Sequence, residues 1–250
     1  MLYFLSPLEQ FEITVLFKLM FLNLDLSITN SAFYGFVSLF ILLGVMNSIL
    51  KNRQFIVNSW HLFLETIIDV AVNLVNDNIG EKGKRYIVLV FAVFSFVIVS
   101  NLVGMVPYSF TTTSHLIYTF SFALFLFVGI NIICIRLHKL QFFSLFLPAG
   151  STIALAFILI PIEIVSYFFR VISLPVRLFA NMMAGHTLLK VIAGFAWAMM
   201  SAGGVMFILH YVPILLLNIL IGLEFGVALI QAYVFTILTC MYLNDAINLH

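Results

Sequence analysis

Ser173-Leu-Pro-Val-Arg177-Leu-Phe-Ala-Asn181-Met-Met-Ala-Gly-His186 sets a guanidinium inside a long run of hydrocarbon. Around it, residues 141–231 carry only Glu163, Arg170, Arg177, Lys190 and Glu224 as formally charged side chains. From Ser151 to Ala202 there is no cluster of turn-forming residues. A straight helix of that length would reach about 75 Å, against a bilayer hydrocarbon core of about 30 Å. Either the helix is steeply tilted, or it breaks near Pro161 or Pro175. Ala202-Gly-Gly204 is the first strong punctuation, and Tyr211-Val-Pro213 supports a restart. The run that follows, 213–246, is again too long for an upright span. The lengths therefore favour a hairpin of two long, strongly tilted, near-horizontal membrane helices over 149–202 and 210–247.

Composition sets the class. The 250 residues are 64% hydrophobic and 8% charged, with a mean hydropathy of +1.19. A soluble domain runs at about 25% charged, so a water-soluble fold is excluded. The apolar runs are continuous, without the alternating ten-residue pattern of an outer-membrane barrel. This is an all-α membrane protein, read as one integral domain over 1–250. Its net charge of +1 comes with no basic tail, so nothing points to nucleic acid. Cys134 and Cys240 lie far apart within apolar runs and read as structural thiols.

Outward from the hairpin, three ordinary spans are expected over 32–50, 86–106 and 116–135. Residues 54–78 differ from these. Trp60, Phe63, Leu64, Ile67, Ile68, Ala71 and Leu74 recur at steps of three and four, while Glu65, Asp69 and Asn73 mark another face. That is an amphipathic helix lying on a membrane surface or against a partner helix. Gly80-Glu-Lys-Gly-Lys-Arg85 is a charged turn, and Pro107-Tyr-Ser-Phe-Thr-Thr-Thr-Ser-His115 a polar one. With three spans, Lys51, Arg53, Lys82, Lys84, Arg85, Arg136 and Lys139 all fall on one side, and the 107–115 turn opposite has no Lys or Arg. The positive-inside rule puts the cluster on the side of synthesis and the N-terminus opposite it. Two further crossings would return the C-terminus to the positive side.

Chemistry is concentrated on the long helices. Glu163, Arg170 and Arg177 are spaced i, i+7, i+14 and drift only about 20° per step, so they share one stripe. Asn181 lies one turn beyond Arg177 on nearly the same face. Glu224, Gln231 and Asp245 form a second stripe on the other helix. Such residues can act as interhelical hydrogen-bond glue, worth about 0.6–2 kcal/mol per pair in membranes. Asn181 and Gln231 fit glue and function equally. Arg177 does not fit glue, because Arg keeps its proton at any accessible pH and costs about 3 kcal/mol at bilayer depth. His115 is read as a solvated loop histidine, with a water-filled vestibule as the alternative. His210 is placed at the interface, and Lys190 as a helix-end residue whose amine snorkels to the headgroups. Glu65 and Asp69 face partner subunits or water. No metal-ligand cluster, phosphate-cradling glycine loop or nucleophile triad occurs, so no cofactor is implied.

Arg177-Leu-Phe-Ala-Asn181 matches, position for position, the Arg-Leu-Phe-x-Asn run of subunit a of the F-type rotary ATP synthase. The resemblance covers most of the chain and is most specific over 161–246. It implies a stator proton channel with two offset aqueous half-channels, which carry protons to and from carboxylates on a rotating c-ring. It implies a horizontal helical hairpin gripping that ring, with peripheral-stalk and other membrane-sector subunits as partners. Carried over residue by residue, Arg177 is the essential arginine facing the ring and Asn181 the asparagine beside it. Gln231, in Ile230-Gln231-Ala-Tyr, is the glutamine close to that arginine, and Glu163 the acid two turns upstream of the first arginine. His186 and Glu224 resemble the histidine–glutamate pair of the mitochondrial and alphaproteobacterial branch. One proton relay needs an imidazole and a carboxylate, whichever helix supplies each. Arg170, His115 and Asp245 are secondary candidates. The chain itself is expected to make and break no phosphate bond. A self-contained secondary transporter is the main alternative, but the internal repeats it would need are not found. A structural membrane scaffold is the other, and it leaves Arg177 unexplained.

The N-terminal stretch has no Lys or Arg before Lys18 and carries Glu9 and Glu12. It fits neither a secretory n-region nor an Arg-rich transit peptide. Ser6-Pro-Leu-Glu-Gln-Phe-Glu12 resembles the mature start of mitochondrial members, although nothing in the local chemistry requires loss of residues 1–5. Phe at 28 of 250 residues suits an AT-rich genome. The expectation is a multi-pass protein of the mitochondrial inner membrane, made in the organelle, within a dimeric synthase. A bacterial plasma membrane is the alternative.

Overall fold

The computed structural model describes residues 6, 8–21, 24–25, 27–51, 59–106, 109–139 and 153–248. Residues 54–58, 107–108 and 149–152 of the expected elements lie outside this set, as do the side chains of Trp60, Phe63 and Leu64. The described chain is overwhelmingly helical: α1 Asn30–Lys51, α2 Ser59–Asn78, α3 Ile87–Gly104, α4 Leu116–His138, α5 Ile153–Ala202, the single turn α6 Val205–Leu209, and α7 Tyr211–Ile247. Five helical stretches, formed by α1, α3, α4, α5 and α6–α7, are long and apolar enough to cross a membrane. The small sheets are confined to the N-terminal segment. Val15–Phe17 pairs antiparallel with Ile28–Thr29, and Met20–Phe21 with Leu24–Asp25.

α5 runs unbroken for 50 residues through Pro161 and Pro175. Each proline removes one intrahelical donor, which leaves the carbonyls of Phe157 and Val171 without their usual partner but does not stop the helix. Of the two readings of this run, the broken helix is therefore not realised. At about 75 Å, α5 is far longer than about 30 Å of hydrocarbon and so is too long for an upright span. α5 ends where Gly203 and Gly204 adopt φ of 70° and 59°, a region that favours glycine. Pro213 then falls in the first turn of α7, where a missing N–H removes no helical bond.

α3 is the central helix, packed on α1, α2 and α7. Its apolar side chains Val90, Val93, Phe94, Val97 and Ile98 are all buried. α7 meets α3 through the small residues Ala228 and Ala232 and through Thr236, which are at most 1% exposed and so let the two backbones approach closely. α2 buries Ile67, Ala71, Leu74 and Val75 against α3 and α7. Its apolar stripe is thus covered from within the chain, the second of the two expected settings. Ile68, expected on that stripe, is instead 45% exposed, being one position past the buried i, i+4 row. Both cysteines are buried and free.

The C-terminus returns to the positive side. Lys82 Nζ donates to Asn248 Oδ1 at 3.0 Å, and His138 Nε2 lies 3.2 Å from the carbonyl of Ile247. The 107–115 turn is less solvated than its composition implies: Thr111, Thr112, Thr113 and Ser114 are all buried, and the turn packs on α5. His115 is half-buried and stacks on Phe110 at 5.0 Å, not a solvated loop residue. Burial lowers its pKa by disfavouring the charged ring. His210 is likewise buried, its ring between Phe207 and Tyr211 and its Nδ1 on the carbonyl of Phe207. Its place is at the α6–α7 junction.

A polar seam between the two long helices

α5 and α7 lie antiparallel, and three polar pairs mark their seam. His186 Nε2 is 3.6 Å from Glu224 Oε1. Asn181 Nδ2 donates to Gln231 Oε1 at 3.0 Å. Arg170 Nη1 is 3.6 Å from Asp245 Oδ2. The two stripes read from sequence therefore meet at a definite register. Along α5, Arg170 lies about 24 Å from His186, with Arg177 about 10 Å from one and 13 Å from the other at 1.5 Å per residue. Arg177 and Arg170 are exposed and Glu163 is half-buried, so the α5 charges line an open face of this chain.

The two ends of the seam differ in access. At the His186–Glu224 end lies a cavity of about 980 Å³. Its walls come from Gln10 and Phe11, from the starts of α1 and the α3–α4 turn, and from the facing halves of α5 and α7. Gln10, Asn30, Ser109, His186, Lys190 and Glu224 make it polar. Lys190 thus borders this cavity, whereas the sequence reading sends it to the headgroups. His115 does not line it. Two other cavities, about 280 and 700 Å³, flank α1 and are walled by hydrocarbon. Even the Ser95 hydroxyl there turns inward, to the carbonyls of Phe91 and Ala92 at 2.7 and 3.2 Å.

Three buried polar atoms without a hydrogen-bond partner among the described residues, Glu224 Oε1, His186 Nε2 and Gln10 Nε2, belong to side chains lining this cavity, and Asn101 Oδ1 on α3 is another such atom. Buried polar groups are costly unless they are satisfied, so such a set at a cavity asks for water. Asn101 is fully buried on α3, and its amide donates to the carbonyl of Ala228, one turn beyond Glu224, at 3.1 Å. The sequence reading missed it. Asn101, the one carboxamide in the Ile87–Gly104 span, was the available signal.

Gly185 was missed too. A Cβ there would lie 2.6 Å from Glu224 Oε1, so the α5 backbone sits close against this carboxylate and any larger residue would oblige the Glu224 side chain to shift. Three or more grouped His, Cys, Asp or Glu able to hold a metal are absent among the described residues. The groups present suit proton exchange: an imidazole and a carboxylate 3.6 Å apart, beside a cavity.

Residues 32–244 match the family described as ATP synthase A chain. This chain belongs to that family. Proteins named ATP synthase subunit a are similar to it along nearly their whole length. That of Pylaiella littoralis is 52% identical over 248 residues, covering 99% of this chain and 100% of the relative. That of Chondrus crispus is 48% identical over 245 residues, covering 98% and 97%. That of Marchantia polymorpha is 46% identical over 249 residues, covering 98% and 99%. Family membership leaves no place for the self-contained transporter or the scaffold. The chain is a multi-pass membrane subunit of the ATP synthase a family, whose work is proton transport in ATP synthesis.

Proposed function

We propose that this chain conducts protons through two offset half-channels to and from carboxylates on a rotating c-ring, with Arg177 as the barrier between them. One half-channel is the polar cavity, which delivers protons by way of His186 and Glu224. The other opens at the opposite end of the seam, where Glu163, Arg170 and Asp245 lie. Asn181 and Gln231 hold the seam beside Arg177. The guanidinium cannot be neutralised, so it repels a proton attempting the direct route and keeps the facing ring carboxylate ionised. A proton falling through the membrane potential releases about 2.3 kcal/mol per 100 mV. Because it must ride the ring between half-channels, that energy appears as rotation. The chain itself carries out no phosphate chemistry.

One observation carries this reading. A single antiparallel seam places a cavity-bound acid–base pair at one end, a second charged pair at the other, and an exposed arginine between them. The c-ring is the partner that would cover the exposed α5 face, with peripheral-stalk and other membrane-sector subunits elsewhere. The location proposed is the mitochondrial inner membrane, with synthesis in the organelle, assembly into a dimeric synthase, and the positive cluster in the matrix. The test is Arg177→Ala in the intact complex. ATP synthesis driven by a proton gradient should fall to background while the complex still assembles. Normal synthesis rates would sink the assignment.

A further inference from the structure

We propose that the N-terminal Glu9–Phe11 turn is a wall of the proton inlet and that the Gln10 amide holds water at its mouth. This rests on the proposed function, in that the polar cavity is taken as the proton inlet, and gives a role to a segment to which the sequence reading assigned none in proton transfer. Gln10 and Phe11 both line the 980 Å³ cavity, on the side of the membrane away from the positive cluster. Gln10 Nε2 is buried and has no hydrogen-bond partner among the described residues. A primary amide has two N–H donors, and leaving them dry carries the full desolvation penalty of the group. A cavity with room for many waters offers the partner that the protein does not.

The turn is held at this place by the start of α1. Asn30 Nδ2 donates to the carbonyl of Glu12 at 3.0 Å, and its Oδ1 accepts from the amides of Thr14 and Ser31 at 3.3 and 2.8 Å. The backbone amide of Asn30 donates to the carbonyl of Thr14 at 3.0 Å. Val15–Phe17 then pairs with Ile28–Thr29, which closes the loop back onto the helix. Asn30 itself lines the cavity. One side chain therefore ties the N-terminal segment to the start of α1 and borders the inlet. Across the opening stands the Lys190 side of α5. Gln10, Asn30 and Lys190 thus share this cavity with His186 and Glu224, and of these the Gln10 amide is the donor left for water.

Cysteine labelling in the intact synthase tests this. Gln10→Cys, with Phe11→Cys as the second variant should the first fail to assemble, is treated with a cationic methanethiosulfonate from the side opposite Lys82. Ile13→Cys, exposed and off the cavity, is the control, and Leu217→Cys on the α7 wall is the reference for the inlet. Gradient-driven proton flux should fall at least tenfold on labelling at position 10 or 11 and at 217, and stay unchanged at 13. A block at 217 with none at 10 or 11 would overturn the N-terminal wall and leave the proposed function standing. No block at any of these positions would remove the cavity from the proton path, and this inference with it.

Discussion

His186 and Glu224 face each other across 3.6 Å with 18% and 7% of their side chains exposed, while Arg170 and Asp245 do so across the same distance with 46% and 40% exposed. The two pairs sit on the same two helices in the same antiparallel seam. Their separation is equal, so distance does not distinguish them. Surroundings do. An exposed ion pair contributes about 0–1 kcal/mol, because solvent screens it and ordering two long side chains costs entropy. A carboxylate held beside an imidazole at the edge of a cavity is different, since its proton is shared between a protein group and a small body of water. The same separation thus marks a shielded pair beside a cavity at one end of the seam and an exposed surface contact at the other.

The sharpest way to break this contrast is to remove the confined pair. Glu224→Gln and His186→Ala should each lower gradient-driven ATP synthesis by about a hundredfold or more, as expected for a lost acid–base group. The double variant should lose scarcely more than either single one, because groups acting as a unit are non-additive. Proton flux that fell by the product of the two single losses would place them in separate steps. Gly185→Ala probes the same end without touching a titratable group. Its new methyl meets Glu224 Oε1 at 2.6 Å, so either the carboxylate turns away or the helices part. We expect about a tenfold loss of flux and about 1–3 kcal/mol of destabilisation, typical of overpacking. Flux should recover in part when Glu224 is shortened to Asp. An unchanged rate in Gly185→Ala would show that the close approach has no bearing on the relay.

At the open end, Arg170→Gln should lower synthesis only a few-fold, in keeping with an exposed pair, and far less than Arg177→Ala. The effect should shrink further at high salt, which screens exposed charges. Equal severity of Arg170→Gln and Arg177→Ala, measured in the same membranes, would erase the distinction drawn between the two arginines.

Much of this site was legible along single helices. Glu163, Arg170 and Arg177 share a stripe because seven residues make almost two full turns, and that follows from helix geometry alone. The residues the reading missed, Gly185 and Asn101, share a feature. Each owes its place to a contact with the other long helix: Gly185 with Glu224, and Asn101 with the carbonyl of Ala228. Spacing within one helix says nothing about which turn of a second helix lies opposite. The misjudged surroundings of Thr111–His115 have the same origin: polarity predicted water, while packing against α5 and Phe110 decided otherwise.

By itself the sequence determined that this chain lives in a bilayer, that its helices are too long to stand upright, and that an unneutralisable charge is kept among them. Those conclusions follow from transfer free energy, from 1.5 Å of rise per residue and from the pKa of arginine. Only the tertiary structure decided that α5 passes unbroken through Pro161 and Pro175 and that His186 meets Glu224 while Arg170 meets Asp245. It alone decided that the N-terminal turn, the end of α3 and both long helices enclose one polar cavity. The reason is physical: local periodicity fixes which residues share a face, but the register between faces is set by side-chain packing summed over the whole bundle.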